Sequence, residues 1–302
     1  MTQITKLYWL HAITPLHVGV GQGVGFIDLP IMREKVTNWP MVPGSSVKGV
    51  LSDYYDASGD GKRENNAILR AAFGIAGEEN SNSGSLVFTD ARIVCFPVRS
   101  LYGTFGWVTS PMALGRLKRD LEMAKLNNGI DGIPSVNDQQ ALIPEGVTST
   151  LQRPNDKIYF EDLDFCTKPD PDAKNWCDKL ASWIFPGEND PWSAKFVERF
   201  AVVSDNTFNF LCEMATEVNT RIRIDPDRKI VASGALWTEE SLPAETILAG
   251  MVWCDKVYVE GVEAETLIKN YCTKAADLQV GGKATIGKGQ VRFLFTAKVE
   301  GK

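Results

Sequence analysis

Apolar residues fall in short blocks along this chain, and the period of the blocks changes from strand-like to helical several times. Thr5 to Thr14 (Thr-Lys-Leu-Tyr-Trp-Leu-His-Ala-Ile-Thr) reads as an opening strand closed by Pro15. Residues 15–44 are rich in Gly and Pro and read as a long ordered loop, a length that usually serves a function inside a compact domain. From Ser45 or Ser46, read as the cap, Val47, Val50, Leu51 and Tyr54 recur at helical spacing, and residues 56–62 break the helix. A second helix is predicted over about 64–73, ending at Gly74. Residues 78–85 read as a polar connection and Leu86–Val94 as a strand. Ser110-Pro111 opens a helix to about Leu126, with Leu114, Leu117 and Leu121 inward and Arg116, Lys118 and Arg119 outward.

Residues 127–156 read as an insertion with little regular structure. A short strand around 158–160 follows, then helices near 173–184, 191–201 and 206–216. Thr220–Asp225 and Lys229–Leu236 form a predicted hairpin across Pro226-Asp227-Arg228. A strand at 249–258, a helix at 262–274 and a strand at 290–298 close the chain. Strands mixed with helices, with a strand at each end, predict an α+β fold. The leading arrangement is a split βαβ, ferredoxin-like (RRM-like) sheet enlarged by insertions. No solenoid repeat or interdomain linker is visible, so residues 1–302 read as a single domain.

Composition narrows the class without deciding it. At 44% hydrophobic and 23% charged, the chain reads as an ordinary globular protein with no membrane span or signal peptide. Six cysteines without a CxxC pair, and only His11 and His17, argue against a closed zinc site and for reduced thiols in a cytoplasmic protein. A net charge of −6 argues against a generic nucleic-acid coat, which needs a basic face. Acidic residues concentrate at 78–79, 161–164, 170–172 and 239–240, while the glycine-rich stretches carry Lys and Arg. A local basic strip is compatible with that segregation.

Candidate chemistry lies mainly in the first fifty residues. Gly19, Gly21, Gly23 and Gly25 precede Asp28 and Arg33, and Ser45-Ser46-Val47-Lys48-Gly49 follows. No helix opens after the glycines, so this is not a dinucleotide fingerprint. Asp28, flanked by Ile27 and Leu29, reads either as a one-oxygen Mg²⁺ ligand or as a loop carboxylate paired with Arg33 or capping a turn. His17 reads as a general base or a structural hydrogen-bonder. Lys48, in a helix's first turn, opposes the dipole and hints at a nearby anion. Arg33 and Arg99 read as phosphate ligands, or as partners of Glu34 or Asp90; Met32 and Trp39 as base-stacking or packing residues. Glu239-Glu240 reads as a solvated strand end. Gln279–Gln290 holds four glycines with Lys283 and Lys288, a loop whose backbone can approach phosphate closely but which lacks the P-loop pattern.

Several of these segments resemble one family. They are Thr14–Gly19, Gly25–Glu34, Pro43–Gly49, Phe96–Leu101, Gly106–Pro111, Leu236–Glu240 and the Gly281–Gly289 loop. The chain is similar to the repeated backbone subunits of the type III-B CRISPR Cmr effector, members of the RAMP superfamily. The resemblance implies copies stacked head to tail along a guide RNA in an open helical array, with other Cmr subunits as partners. It implies guide contacts from Ser45, Ser46, Lys48 and the glycine loop (Gly281, Gly282, Lys283, Thr285, Lys288); Arg33 and Arg99, read above as phosphate ligands, join them as candidate RNA ligands. A thumb-like hairpin at about 218–236 would kink the guide–target duplex. Target RNA would be cut at each kink, with Asp28 as catalytic aspartate and metal ligand, probed for support by His17, Glu239 and Glu240, and Mg²⁺ as cofactor. Two other readings stay open: a non-catalytic RNA-binding scaffold, and a standalone guide-precursor-processing endoribonuclease relying on a histidine.

Overall fold

Strand β1 (Thr5–Ala12) is buried on both faces, and its alternation divides the interior in two. Tyr8, Leu10 and Ala12 enter one apolar cluster; Leu7 and Trp9 enter the other. A computed structural model describes residues 4–21, 23, 25–57, 65–75, 81–126, 129–130, 132–153, 155–187 and 190–296. After β1 come β2 (Met41–Val42), α1 (Gly44–Ala57), α2 (Ala67–Phe73), β3 (Gly74–Ile75), β4 (Asn82–Ser83), β5 (Leu86–Phe88), β6 (Ala91–Arg99) and β7 (Phe105–Thr109). The middle holds α3 (Pro111–Met123), β8 (Gln140–Pro144), β9 (Lys157–Phe160), β10 (Leu163–Asp170), α4 (Pro171–Ile184), α5 (Pro191–Arg199), β11 (Phe200–Val203) and α6 (Asp205–Met214). Then follow β12 (Glu217–Ile224), β13 (Val231–Ser241), β14 (Ile247–Cys254), α7 (Ala264–Tyr271), β15 (Ala276–Gln279) and β16 (Gln290–Phe295).

One large mixed sheet runs β15-β16-β1-β14-β6-β7-β11-β8-β10-β9, with β2 paired to β6 and β5 to β14. Within it β16, β1, β14 and β6 are consecutive and antiparallel; α1 lies in sequence between β1 and β6, α7 between β14 and β16. Val47, Leu51, Leu69, Leu267 and Ile268 bring α1, α2 and α7 onto the face of Tyr8 and Leu10. Leu114, Leu117, Trp176, Leu180 and Phe196 bring α3, α4 and α5 onto the face of Trp9. The α+β class is as expected.

Local chemistry explains the element ends and several differences from expectation. Ser110 Oγ accepts from Ala113 N–H at 3.3 Å and Pro111 opens α3, as the sequence predicts. Asn66 caps α2, and Gly74 (φ 84°) ends it. Helix α1, however, starts at Gly44, ahead of the expected serine caps: Asp90 Oδ1 accepts the Gly44 N–H at 2.8 Å. Asp90 thereby interrupts the single strand expected at 86–94, which divides into β5 and β6. The expected insertion at 127–156 contains β8, an inner strand between β11 and β10. The helix expected to reach 201 stops at Arg199, where Phe200–Val203, wholly buried, forms β11. Of the breaker expected at 56–62, Asp56 and Ala57 still belong to α1 and 58–62 lie outside the described residues; of the polar connection expected at 78–85, 78–80 lie outside them and Asn82–Ser83 forms β4.

The β12–β13 hairpin is a separate two-stranded sheet. Its tip is an Asx turn in which Asp225 Oδ1 accepts the N–H groups of Asp227 and Arg228 at 2.9 and 3.0 Å. Val218, Ile222, Ile224, Ile230, Val231 and Leu236 are all exposed on it. An apolar hairpin without a covering layer marks an interaction site.

Candidate functional site

Three segments distant in sequence meet at the base of that hairpin: the loop from Pro15 to Arg33, residues 237–242, and the turn from Gly281 to Gly289. Main-chain bonds lay the first loop on the second segment. Leu16 and Leu242 exchange N–H···O bonds of 2.9 Å, Leu29 N–H donates to Thr238 O, and Glu240 N–H donates to Leu29 O, the latter two at 3.0 Å. The third segment docks on the first: Gly282 N–H donates to His17 O and Gly289 N–H to Pro15 O, both at 2.9 Å. Gly281 (φ 77°) must be glycine, because a Cβ there would stand 2.3 Å from His17 O.

Asp28 sits exposed on the first loop and is fixed by Thr238, not by Arg33. The Thr238 N–H donates to Asp28 Oδ2 at 2.7 Å, and its hydroxyl reaches the same oxygen at 3.0 Å. Asp28 N–H donates back to Thr238 Oγ1 at 3.0 Å. These bonds, the main-chain one foremost, hold the carboxyl below its ordinary range. Among the described residues no cation of the protein pairs with it.

The neighbouring glutamates are buried, each 2% exposed, so they are not the solvated strand end the sequence suggests. Glu240 secures the first loop. Its Oε1 accepts from Arg33 Nη2 at 2.5 Å and from Thr216 Oγ1 at 3.0 Å, and its Oε2 from Ile31 N–H at 3.1 Å. Arg33 also donates to the carbonyls of Asn38 and Cys212 at 2.8 and 3.1 Å. Its guanidinium is thus bonded within the protein, to Glu240 where the sequence offered Glu34 or Asp90. Glu34 belongs instead to Arg116, at 2.7 Å.

Glu239 secures the glycine turn. Its Oε1 accepts from Lys283 Nζ and Trp237 Nε1, both at 2.8 Å, and Arg221 Nε lies 3.5 Å from Oε2. Burial alone would raise this carboxyl, but the bonds from Lys283 and Trp237 and the Lys283 and Arg221 charges outweigh it and bring it to about 2. Lys288 is also turned inward: it is buried, donates to Ser241 Oγ at 2.6 Å, and has its pKa lowered by that burial. It is a fastening of the turn, not an outward phosphate ligand. Thr285 and the surrounding 284–287 are exposed, as are Gly281 and Gly282.

His17 Nδ1 lies 2.6 Å from Glu240 O. A carbonyl only accepts, so Nδ1 carries the proton and Nε2 keeps the lone pair in the neutral ring. Ser45 is exposed and Ser46 half-buried in the first turn of α1. Lys48, one turn on, donates to Leu86 O at 2.8 Å, and burial lowers its pKa. Arg99, at the end of β6, is paired with Glu161 at 3.3 Å and has no described contact with the Asp28 cluster. Met32 and Trp39 pack in the core.

Among the described residues no three His, Cys, Asp or Glu side chains gather as a metal-binding group. A lone exposed Asp28 carboxylate suits one ligand of a hydrated cation shared with a phosphate, not a metal caged by protein. Sequence reasoning assigns no role to Thr216 or Ser241; Trp237 and Thr238 fall in the family-like Leu236–Glu240 segment and Arg221 in the basic hairpin, but no spacing pattern joins any of them to its partner.

A model of the RAMP superfamily matches residues 9–292. The chain belongs to the RAMP superfamily. This RAMP chain is 34% identical over 289 residues to the CRISPR system Cmr endoribonuclease Cmr4 of Pyrococcus furiosus, covering 95% of this chain and 94% of that relative. The crystal structure of oligomeric Cmr4 from Pyrococcus furiosus superposes with a TM-score of 0.73 at 28% identity, over 98% of each chain. A chain in the cryo-EM structure of the type III-B Cmr-beta bound to cognate target RNA shares the fold, with a TM-score of 0.72 at 20% identity over 96% of each chain. Among the described residues of this RAMP protein no helix is long and apolar enough to cross a membrane.

Proposed function

We propose that this chain is the repeated backbone subunit of a type III-B CRISPR effector, stacking along guide RNA and cutting the paired target RNA. The carrying observation is Asp28: an exposed carboxylate kept ionised by Thr238, at the root of an unpacked apolar hairpin and beside an exposed glycine turn. The similarity to a named Cmr endoribonuclease over nearly the whole chain supports an RNA-cutting role. The oligomeric crystal form of a relative supports self-association.

In this reading guide pairing supplies sequence specificity, and the protein reads backbone and shape. The exposed turn at 281–287 and the start of α1 with Ser45 and Ser46 face the guide backbone. The hairpin enters the duplex and displaces a nucleotide, freeing its 2′-hydroxyl to align with the adjacent phosphate. The 2′-oxygen attacks phosphorus as its proton is lost, the P–O5′ bond breaks, the 5′-oxygen takes a proton from solvent, and the products are a 2′,3′-cyclic phosphate and a 5′-hydroxyl. Asp28 orients the 2′-hydroxyl or takes its proton, a positioning-dominated mechanism suited to a slow nuclease. A hydrated Mg²⁺ held partly by Asp28 supplies charge neutralisation at the phosphate when bound.

The test uses the assembled effector with guide and labelled complementary RNA. Wild type in Mg²⁺ gives a regularly spaced ladder. Asp28→Ala lowers cutting about a hundredfold or more with target binding retained, and EDTA also abolishes the ladder. A ladder that survives Asp28→Ala reduces the chain to a scaffold. Cutting of repeat RNA by the isolated chain in EDTA points instead to precursor processing.

A further inference from the structure

Two residues before Asp28, the ring of Phe26 is fully exposed, at 103% of its reference area. Single exposed apolar residues are ordinary on protein surfaces, but three features set this one apart. First, its backbone is anchored. Phe26 O accepts from the Thr238 hydroxyl at 3.2 Å, the same hydroxyl that meets Asp28. Gly23 N–H closes the turn around it by donating to Asp28 O at 3.0 Å. The ring therefore projects from the carrier that fixes the carboxylate.

Second, the apolar surface continues. In the hairpin register Thr220 faces Thr238 and Ile222 faces Leu236, so Ile222 and Leu236 share the face of β13 that holds Asp28. Both are exposed, and Leu236 lies about 7 Å along the strand from Thr238. The opposite face carries Arg221, Trp237 and Glu239. Third, an open groove of about 370 Å³ runs beside the ring, its lining including Gly23, Phe26 and Pro30 together with Arg33, Glu213 and Glu240. The groove leaves open space beside the ring, with both apolar and charged groups on its wall.

We propose that Phe26 is a positioning residue that stacks on an unpaired nucleobase of the RNA strand whose phosphate lies at Asp28. The inference rests on the reading of Asp28 given above. Every base presents a π-face, so the contact is tolerant of sequence and serves geometry. Stacking holds the sugar of the displaced nucleotide while its 2′-hydroxyl turns in line, and Ile222 and Leu236 wall off the hairpin side. Phe26 touches the base and acts on the reaction through it.

Cleavage rates in the assembled effector test this, using Phe26→Ala, Phe26→Leu and Phe26→Trp against intact target and against targets abasic at either nucleotide flanking the cut. Since Phe26 has no packing to lose, all three variants fold and bind target. With intact target, Phe26→Ala and Phe26→Leu cut about tenfold more slowly, and Phe26→Trp cuts at nearly the wild-type rate. With one of the two abasic targets, wild type is slowed as much as Phe26→Ala, and the variant loses nothing further. Wild-type rates for Phe26→Ala, or equal slowing by it on intact and both abasic targets, overturn the proposal while the Asp28 reading stands. A wild-type effector with no Asp28-dependent cutting overturns both.

Discussion

At the scale of single residues, Thr238 governs Asp28. Its hydroxyl is one of two donors on the carboxylate, and the main-chain N–H remains when the hydroxyl is removed. Thr238→Val therefore raises the Asp28 pKa part of the way back and leaves the loop attached. The acid limb of the pH–rate profile moves to higher pH, while the rate at neutral pH, where Asp28 stays ionised, changes little. An unmoved limb contradicts the role given to Thr238. Glu239 offers a second titration. Its carboxyl titrates at about 2 in the folded chain against an ordinary 4.5, so the unfolded chain binds the proton first. The stabilisation is complete above 4.5 and drains away as pH falls from there through 2. Glu239→Gln flattens that part of the stability–pH curve in denaturant titrations. Arg33→Met leaves buried Glu240 without its cation and costs about 3 kcal/mol of unfolding free energy by the same measurement. Little of this was legible in the sequence. Asp28 among apolar neighbours suggested Arg33 as partner, but its partner is a threonine 210 residues away. The adjacent glutamates suggested solvent, but each is buried because a cation from elsewhere reaches it.

At the scale of elements, glycine placement decides how the site is assembled. Gly281→Ala meets both a positive φ and His17 O, a strain of about 1–3 kcal/mol. The expected result is a turn released from Pro15 and His17, with faster proteolysis at 281–289 and weaker guide binding, while the sheet persists. Unchanged cleavage by protease and unchanged guide affinity contradict the docking role. Elements with a strong local signal were readable: the leucine spacing of α3, its serine–proline start, and the turn chemistry of the hairpin around Pro226. Short strands buried on both faces were not. Gln140–Pro144 and Phe200–Val203 show no alternation, and each is too brief to stand out beside glycine-rich or helical neighbours. The start of α1 was misplaced because its cap, Asp90, comes from another segment.

At the scale of the whole molecule, a net charge of −6 coexists with the proposed RNA surface because several basic groups near the site are internally paired. Arg33, Lys283 and Lys288 hold the scaffold. What remains for the guide is exposed backbone, serine hydroxyls and a hairpin that sets apolar side chains beside the exposed Arg223, Arg228 and Lys229, so shape and local charge both serve. In the proposed effector each copy of this chain cuts one position with its own Asp28. Effectors assembled from mixtures of wild-type and Asp28→Ala subunits test this, with the ladder quantified band by band. If each Asp28 cuts its own position, every band weakens in proportion to the fraction of Asp28→Ala subunits, at unchanged spacing and unchanged target binding. A ladder of full intensity from effectors built entirely of Asp28→Ala subunits contradicts it and places the cutting residue elsewhere.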